Sequence, residues 1–200
     1  MKKGHWILII VLGAIVVIAA GIYSWVKGNY NGLVERSQEV AAQWANVENQ
    51  YQRRADLIPN LVATVKGYAT HEKATLEGVI DARARATQVR IDFNDLNEET
   101  LAKYAQVQGE LSSALSRLMA VSEAYPDLKA NRNFTDLQTQ LEGTENRIAT
   151  ERRRYNDAVQ AYNVYVQQFP RNLIAGMFGF TPKTFFAAEA GADKAPKVEF

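Results

Sequence analysis

Trp6 to Val26 reads WILIIVLGAIVVIAAGIYSWV, a stretch of about 21 residues without a formal charge, which is what a helix needs to cross the hydrocarbon core of a bilayer. No other segment constrains the fold as much. Trp6 stands at one end of the run and Tyr23 and Trp25 at the other, where amphipathic rings suit the two headgroup regions. Lys2 and Lys3 precede the run and Lys27 closes it. The alternative is a cleaved signal peptide, with Lys2 and Lys3 as its basic start and Val17-Ile18-Ala19 as its cleavage site. The run continues past Ala19 and ends in the aromatics and lysine of an anchor, so residues 1–27 read as a short basic tail and an uncleaved transmembrane helix. The chain has no cysteine, which excludes a lipoprotein attachment, disulfides and thiol chemistry.

Charge is a weak guide to orientation. Lys2, Lys3 and the amino terminus precede the span, and Lys27 and Arg36 follow it, nearly a tie under the positive-inside rule. A short basic tail most simply stays in the cytoplasm, which places the main domain outside. The net charge of +1 gives no electrostatic case for nucleic acid.

Alanine, glutamine, glutamate, arginine and leucine dominate the rest of the chain, a composition of long helices rather than of a sheet. Tyr30, Leu33, Ser37, Val40, Trp44, Val47, Tyr51 and Arg54 alternate steps of three and four, laying one stripe along a helix. Pro59 has no donor and its ring strikes the preceding turn. We therefore expect a reversal near Arg54 to Ile58, with Asp56 as cap and a second helix from Leu57 onward. The rival is one very long kinked helix. The second helix carries Leu61, Val62, Val65, Ala69, Leu76, Val79 and Ala86, and ends in the loop Ile91 to Asp95. Asp95 and Glu98 have the form of a capping box. A third stripe follows, Leu101, Tyr104, Gln108, Leu111, Leu115, Leu118 and Ser122, and it stops at Tyr125-Pro126. The fourth runs from Leu137 through Leu141, Thr144, Ile148, Glu151, Tyr155, Ala158, Tyr162 and Tyr165 to Phe169, and Pro170 closes it.

Four long helices with short connections pack most simply as an antiparallel up-and-down four-helix bundle, here over residues 28–170. The expected fold class is all-α: one N-terminal transmembrane helix followed by that bundle. Residues 171–186 form an aromatic segment near the membrane, and 187–200 a flexible C-terminal tail. The first helix leaves the bilayer and the fourth returns to it, so Phe178, Phe180, Phe185 and Phe186 fall near its surface. They either cap the bundle or dip into the headgroups; capping is the simpler reading. In the same register Arg54 sits level with Glu145. Arg53, Arg54, Asp56, Glu145 and Arg147 then form a charged cluster, read as a structural clasp with a docking site as the alternative.

Specific blocks accompany this pattern: YNGLV (Tyr30 to Val34), RADLIPNLV (Arg54 to Val62), VKGYATHEK (Val65 to Lys73), YPDLKANRNF (Tyr125 to Phe134), LEGTENRIA (Leu141 to Ala149), YNDAVQAYN (Tyr155 to Asn163), Phe169-Pro170 and Gly179-Phe180. In these the chain resembles the LemA family over essentially its whole length. The resemblance implies a bacterial membrane protein with a single N-terminal span and a four-helix antiparallel bundle. It brings no mechanism, because the family has no established activity. Genes of the family often neighbour membrane metalloproteases, an association only. Family members are sometimes drawn with the short N-terminus outside, against the charge-based orientation.

No catalytic motif is complete in the sequence. His71-Glu72 begins like a zinc-protease motif, but Thr75 stands where the second histidine belongs. The remaining histidine, His5, lies beside the span, and no metal site is expected. Glycines lie singly, with no phosphate-cradling loop. Inward carboxylates such as Glu72 and Glu151 are expected to pair with Arg83 or Arg147, and the Glu-x-x-His motifs of a di-iron centre are missing. No cofactor and no catalysis are expected. Val198 and Phe200, with the terminal carboxylate, have the loose form of a PDZ ligand. Three functions compete: a membrane-anchored scaffold binding itself or a membrane partner, including a membrane or PDZ protease; a membrane-shaping or lipid-binding protein; and an enzyme with a cryptic carboxylate site.

Overall fold

A computed structural model describes residues 3–187, so the expected PDZ ligand Val198 and Phe200 lies outside the described residues. These residues form six α-helices and one 3-10 turn, with no strand among them. In order they are α1 (Lys3–Tyr68), α2 (Lys73–Gln88), the 3-10 turn (Phe93–Asp95), α3 (Glu98–Ser122), α4 (Pro126–Lys129), α5 (Arg132–Gln167) and α6 (Arg171–Met177).

The reversal expected at Arg54 to Ile58 is absent. α1 continues for 66 residues with Pro59 inside it, and the chain turns instead at Ala69 to Glu72. No proline marks this turn. Thr70 and His71 are indifferent helix formers, and Ala69, fully buried, closes the last turn through its N–H to the Val65 carbonyl (2.8 Å).

The capping box opening α3 falls two residues beyond the expected Asp95 and Glu98. Asn97 Oδ1 accepts from the Thr100 N–H (2.9 Å), and Thr100 Oγ1 accepts from the Asn97 N–H (3.0 Å). A threonine hydroxyl thus does the work expected of a glutamate. Asn131 caps α5 by accepting from the Phe134 N–H.

Contacts divide the chain into two compact units: Met1–Val40 with Gln160–Pro182, and Ala41–Val159 with Lys183–Phe200. In the second unit the apolar stripes close on one another. Ile58, Leu61 and Val65 of α1, Val79 and Ala82 of α2, Leu111 and Leu118 of α3, and Leu141 of α5 share one dry core with Leu128 and Phe134. Its other end is aromatic. Trp44 lies against Tyr104 and Tyr155, with ring centroids 5.4 and 5.8 Å away, and Phe186 stacks on Trp44 at 5.8 Å. Asn156 holds Phe186 in place by both accepting from its N–H (2.9 Å) and donating to its carbonyl (3.1 Å). Tyr155 donates to the Thr184 carbonyl and Arg152 to that of Ala187. Phe186 is therefore core, packed against the helices as in the capping alternative and not turned to the headgroups, because these side chains of α5 satisfy the backbone that carries it.

In the first unit, every residue from His5 to Trp25 is exposed. This part of α1 is the one helical stretch among the described residues that is long and apolar enough to cross a membrane. Beyond it, Gly32 lets α5 approach, because a Cβ at residue 32 would meet the Tyr165 hydroxyl, with Tyr165 Cζ at 2.9 Å. Arg36 and Arg171 both lie over the Tyr165 ring, 4.4 and 4.3 Å from its centroid. Gly179, at φ +76°, reverses the chain after α6 in a conformation that suits glycine. Tyr162 then donates to the Thr181 carbonyl (3.1 Å). The α5 stripe ends short of its expected last member: Phe169 is 80% exposed.

Candidate functional site

The stripe of α1 runs from Val40 through Trp44 and Val47 to Tyr51 as a buried apolar and aromatic series, and its next member is Arg54. That side chain is 1% exposed, the least expected place for a permanent cation. Its guanidinium is surrounded by acceptors. Nη1 donates to Ser112 Oγ (2.6 Å) and to Glu145 (2.8 Å); Nη2 donates to Gln108 Oε1 (2.7 Å) and to the Gln108 carbonyl (3.1 Å). The Tyr51 ring lies 5.1 Å from the guanidinium carbon. Nε alone lacks a partner among the described residues. One arginine of α1 thereby joins α3 and α5. Gln108 extends the network, since its Nε2 donates to the Ala86 carbonyl at the end of α2 (3.3 Å).

One turn further along, Pro59 cannot donate to the Ala55 carbonyl. Arg83 of α2 does so instead, through Nε at 2.7 Å. The expected pairing of Arg83 with an inward carboxylate is thus corrected: Glu151 pairs with Arg154 (2.7 Å), and Glu72 accepts from the Tyr125 hydroxyl (3.3 Å).

Of the five residues expected in the charged cluster, Arg54 and Glu145 meet. Arg53, Asp56 and Arg147 are exposed, and Asp56 accepts from Gln52 (2.7 Å). The expected cluster presupposed a turn at Pro59. Without it these three side chains stay on the outer faces of continuous helices. Gln108 and Ser112 were missing from the expected cluster, though Gln108 stands in the apolar stripe of α3, and a polar residue in such a stripe demands a buried partner.

Beside the network opens a cavity of about 290 Å³, lined among others by Glu48, Gln52, Thr87, Arg90, Tyr104 and Gln108. Burial raises the Glu48 carboxyl above its ordinary value; Arg90 partly opposes this and the Asp92 carboxylate adds to it. Burial likewise holds the Tyr104 phenol protonated, helped by Tyr51 and Glu48 and opposed by Arg54. A protonated phenol and a carboxyl that ionises reluctantly suit hydrogen bonding more than nucleophilic attack. The described residues include no group of three or more side chains able to hold a metal ion.

The sequence profile of the LemA family matches residues 43–200. The chain belongs to the LemA family. Among its relatives are magnetosome protein MamQ 2 of Paramagnetospirillum magneticum, 29% identical over 181 residues, and magnetosome protein MamQ of Magnetospirillum gryphiswaldense, 26% identical over 181. Each alignment covers 82% of this chain and 66% of the relative, so the LemA-family chain described here spans just under two thirds of those proteins. Protein LemA of Metamycoplasma hominis is 22% identical over 160 residues, covering 80% of this chain and 69% of that protein. The matched segment contains the Arg54 network and the cavity beside it.

Proposed function

We propose that this LemA-family protein is a membrane-anchored, non-catalytic scaffold or adaptor that mediates protein–protein interactions at the bacterial cell membrane. α1, α2, α3 and α5 pack as an antiparallel up-and-down four-helix bundle, and the apolar run of α1 is its single span. The bundle lies outside the cytoplasm. The observation that carries this reading is the continuity of α1: one helix bears both the bare apolar run and the stripe buried from Leu33 to Val65. The Arg54 network acts as a clasp that fixes the register of α1 against α3 and α5; at 1% exposure its cation is out of reach of a docked partner. The MamQ relatives are named for a cellular structure, the magnetosome, rather than for a reaction, which supports a structural role.

Partners are a second copy of the chain or another membrane protein, including a membrane or PDZ protease. Crosslinking in intact cells followed by mass spectrometry tests the scaffold; a strictly solitary monomer counts against it. A reporter fused after Phe200, compared for cytoplasmic and external activity, tests the orientation. An enzymatic reading would centre on the Glu48 carboxyl, which burial raises beside the cavity.

A further inference from the structure

Leu173 and Met177, four residues apart on α6, are 58% and 80% exposed, and Phe169 in the turn before the helix is 80% exposed. Leu173 and Met177 thus form a bare face of α6, extended by the bare Phe169 before it, while Ile174 and Ala175 are buried. Such a face needs a cover. What covers it follows from where α6 is tied. Arg171 at its start donates to Asn29 of α1 (3.1 Å) and lies over Tyr165. Phe178 at its end packs edge-on against Tyr30, 4.9 Å between centroids. Phe178 also closes a notch of about 220 Å³ with Tyr23, Val26, Lys27 and Tyr30, whose walls are almost wholly apolar. The start of α6 is therefore tied just past the apolar run, at Asn29, and its end lies against the run's last turn.

We infer that α6 lies in the headgroup region of the leaflet where α1 emerges, with Phe169, Leu173 and Met177 inserted among the acyl chains. The occupant of this face is the bilayer itself. The run from Trp6 to Val26 is about 31 Å long at 1.5 Å per residue, so its two ends reach both edges of the hydrocarbon. Residues 23–30, and α6 beside them, then fall at the boundary where amphipathic helices bury their apolar side by about 5–10 Å. Arg171 and Lys27 sit at the polar edge of the patch, where cationic heads reach phosphate while their stems stay apolar. Of the four aromatics expected either to cap the bundle or to dip into the headgroups, none is among the three inserted side chains. Phe178 is half exposed beside the patch, Phe180 packs against Tyr30 (5.8 Å), and Phe186 is buried.

This inference rests on the proposed insertion of α1, and the test separates the two. The chain has no cysteine, so single labels are unambiguous. Nitroxides are placed at Met177→Cys, Leu173→Cys, Ile15→Cys and Ile80→Cys of the full chain, in nanodiscs of phosphatidylethanolamine and phosphatidylglycerol holding one copy each. Circular dichroism checks that each variant is helical. Collision with oxygen and with a soluble nickel chelate is then read at each site. Residues 177 and 173 are expected to show nickel accessibility well below that of residue 80 and above that of residue 15 at mid-span, while keeping oxygen accessibility. Residue 80, half exposed on α2, reports open water. Nickel accessibility at 177 and 173 equal to that at 80, with 15 shielded, overturns the inference and leaves the anchor standing. Shielding from both probes means a protein contact and also overturns it. Nickel reaching residue 15 removes the anchor and this inference together.

Discussion

Arg83 Nε donates to the Ala55 carbonyl at 2.7 Å, the one carbonyl that Pro59 leaves without its helical donor. A proline in a helix interior costs about 3 kcal/mol, from the missing bond and from the ring against the carbonyl four residues back. A cation from a neighbouring helix here replaces the missing bond with a charge-assisted one. α1 passes through Pro59 because α2 is packed beside it.

The pairing predicts a coupling. Arg83→Met should destabilise the chain by about 1–3 kcal/mol, since Ala55 is buried and its carbonyl would lose its partner. In a Pro59→Ala background residue 59 supplies its own N–H, and the same change should cost distinctly less. Urea unfolding of the four variants in detergent micelles gives the cycle; equal costs in both backgrounds would show that Arg83 does not answer for Pro59.

Removing Arg54 should cost more than removing its carboxylate partner. Arg54→Met leaves Gln108 and Ser112 without their donor inside the fold, a loss of about 3 kcal/mol. Glu145 is 43% exposed, so Glu145→Gln keeps an oxygen in place and should cost about 1 kcal/mol. Arg54→Lys is not conservative, because an ammonium has three donors on one point for the four acceptors that the guanidinium fork meets on two helices. Denaturation midpoints measured side by side decide the order, and a larger loss for Glu145→Gln would refute it.

Glu48 is expected to cost stability at neutral pH. Its carboxyl is raised in the folded chain, chiefly by burial, so between the unfolded value of 4.5 and the folded one the native state holds more protons. Stability contributed by this group therefore falls as pH rises through that window. Glu48→Gln should raise the denaturation midpoint at pH 7 and should lose that advantage below the unfolded value. A midpoint gain that did not change with pH would point to a cause other than ionisation.

Phe186→Ala should destabilise by about 3 kcal/mol or more, as for other aromatic truncations in cores. Phe186 is 4% exposed and stacked on Trp44. The emission of Trp44 should move to longer wavelength, while Phe185→Ala, at a half-exposed site, should leave it unmoved. Fluorescence of chains carrying phenylalanine at Trp6 and Trp25 isolates the signal.

The stripes were plain in the sequence: the α3 series from Leu101 to Ser122 is buried throughout, because one face of a helix has to leave water. Counting along two stripes also sets Arg54 against Glu145. The neighbours that complete the network were harder to see, since Gln108 and Ser112 become partners through packing between segments distant in the chain. The turn was misplaced for a related reason. Pro59 is a strong local signal, and local signals do not reveal that a second helix can answer them.

The apolar run, the helical class and the family were determined by the sequence alone, because periodicity and hydrocarbon-length greasiness are properties of consecutive residues. Tertiary structure decided three things: that α1 runs through Pro59, that Phe186 turns inward onto Trp44 and Tyr155, and that Phe169, Leu173 and Met177 are left bare. Each depends on which partner reaches a group first, Arg83 for a carbonyl or Asn156 for a backbone amide. Order along the chain does not contain that information; three-dimensional proximity does.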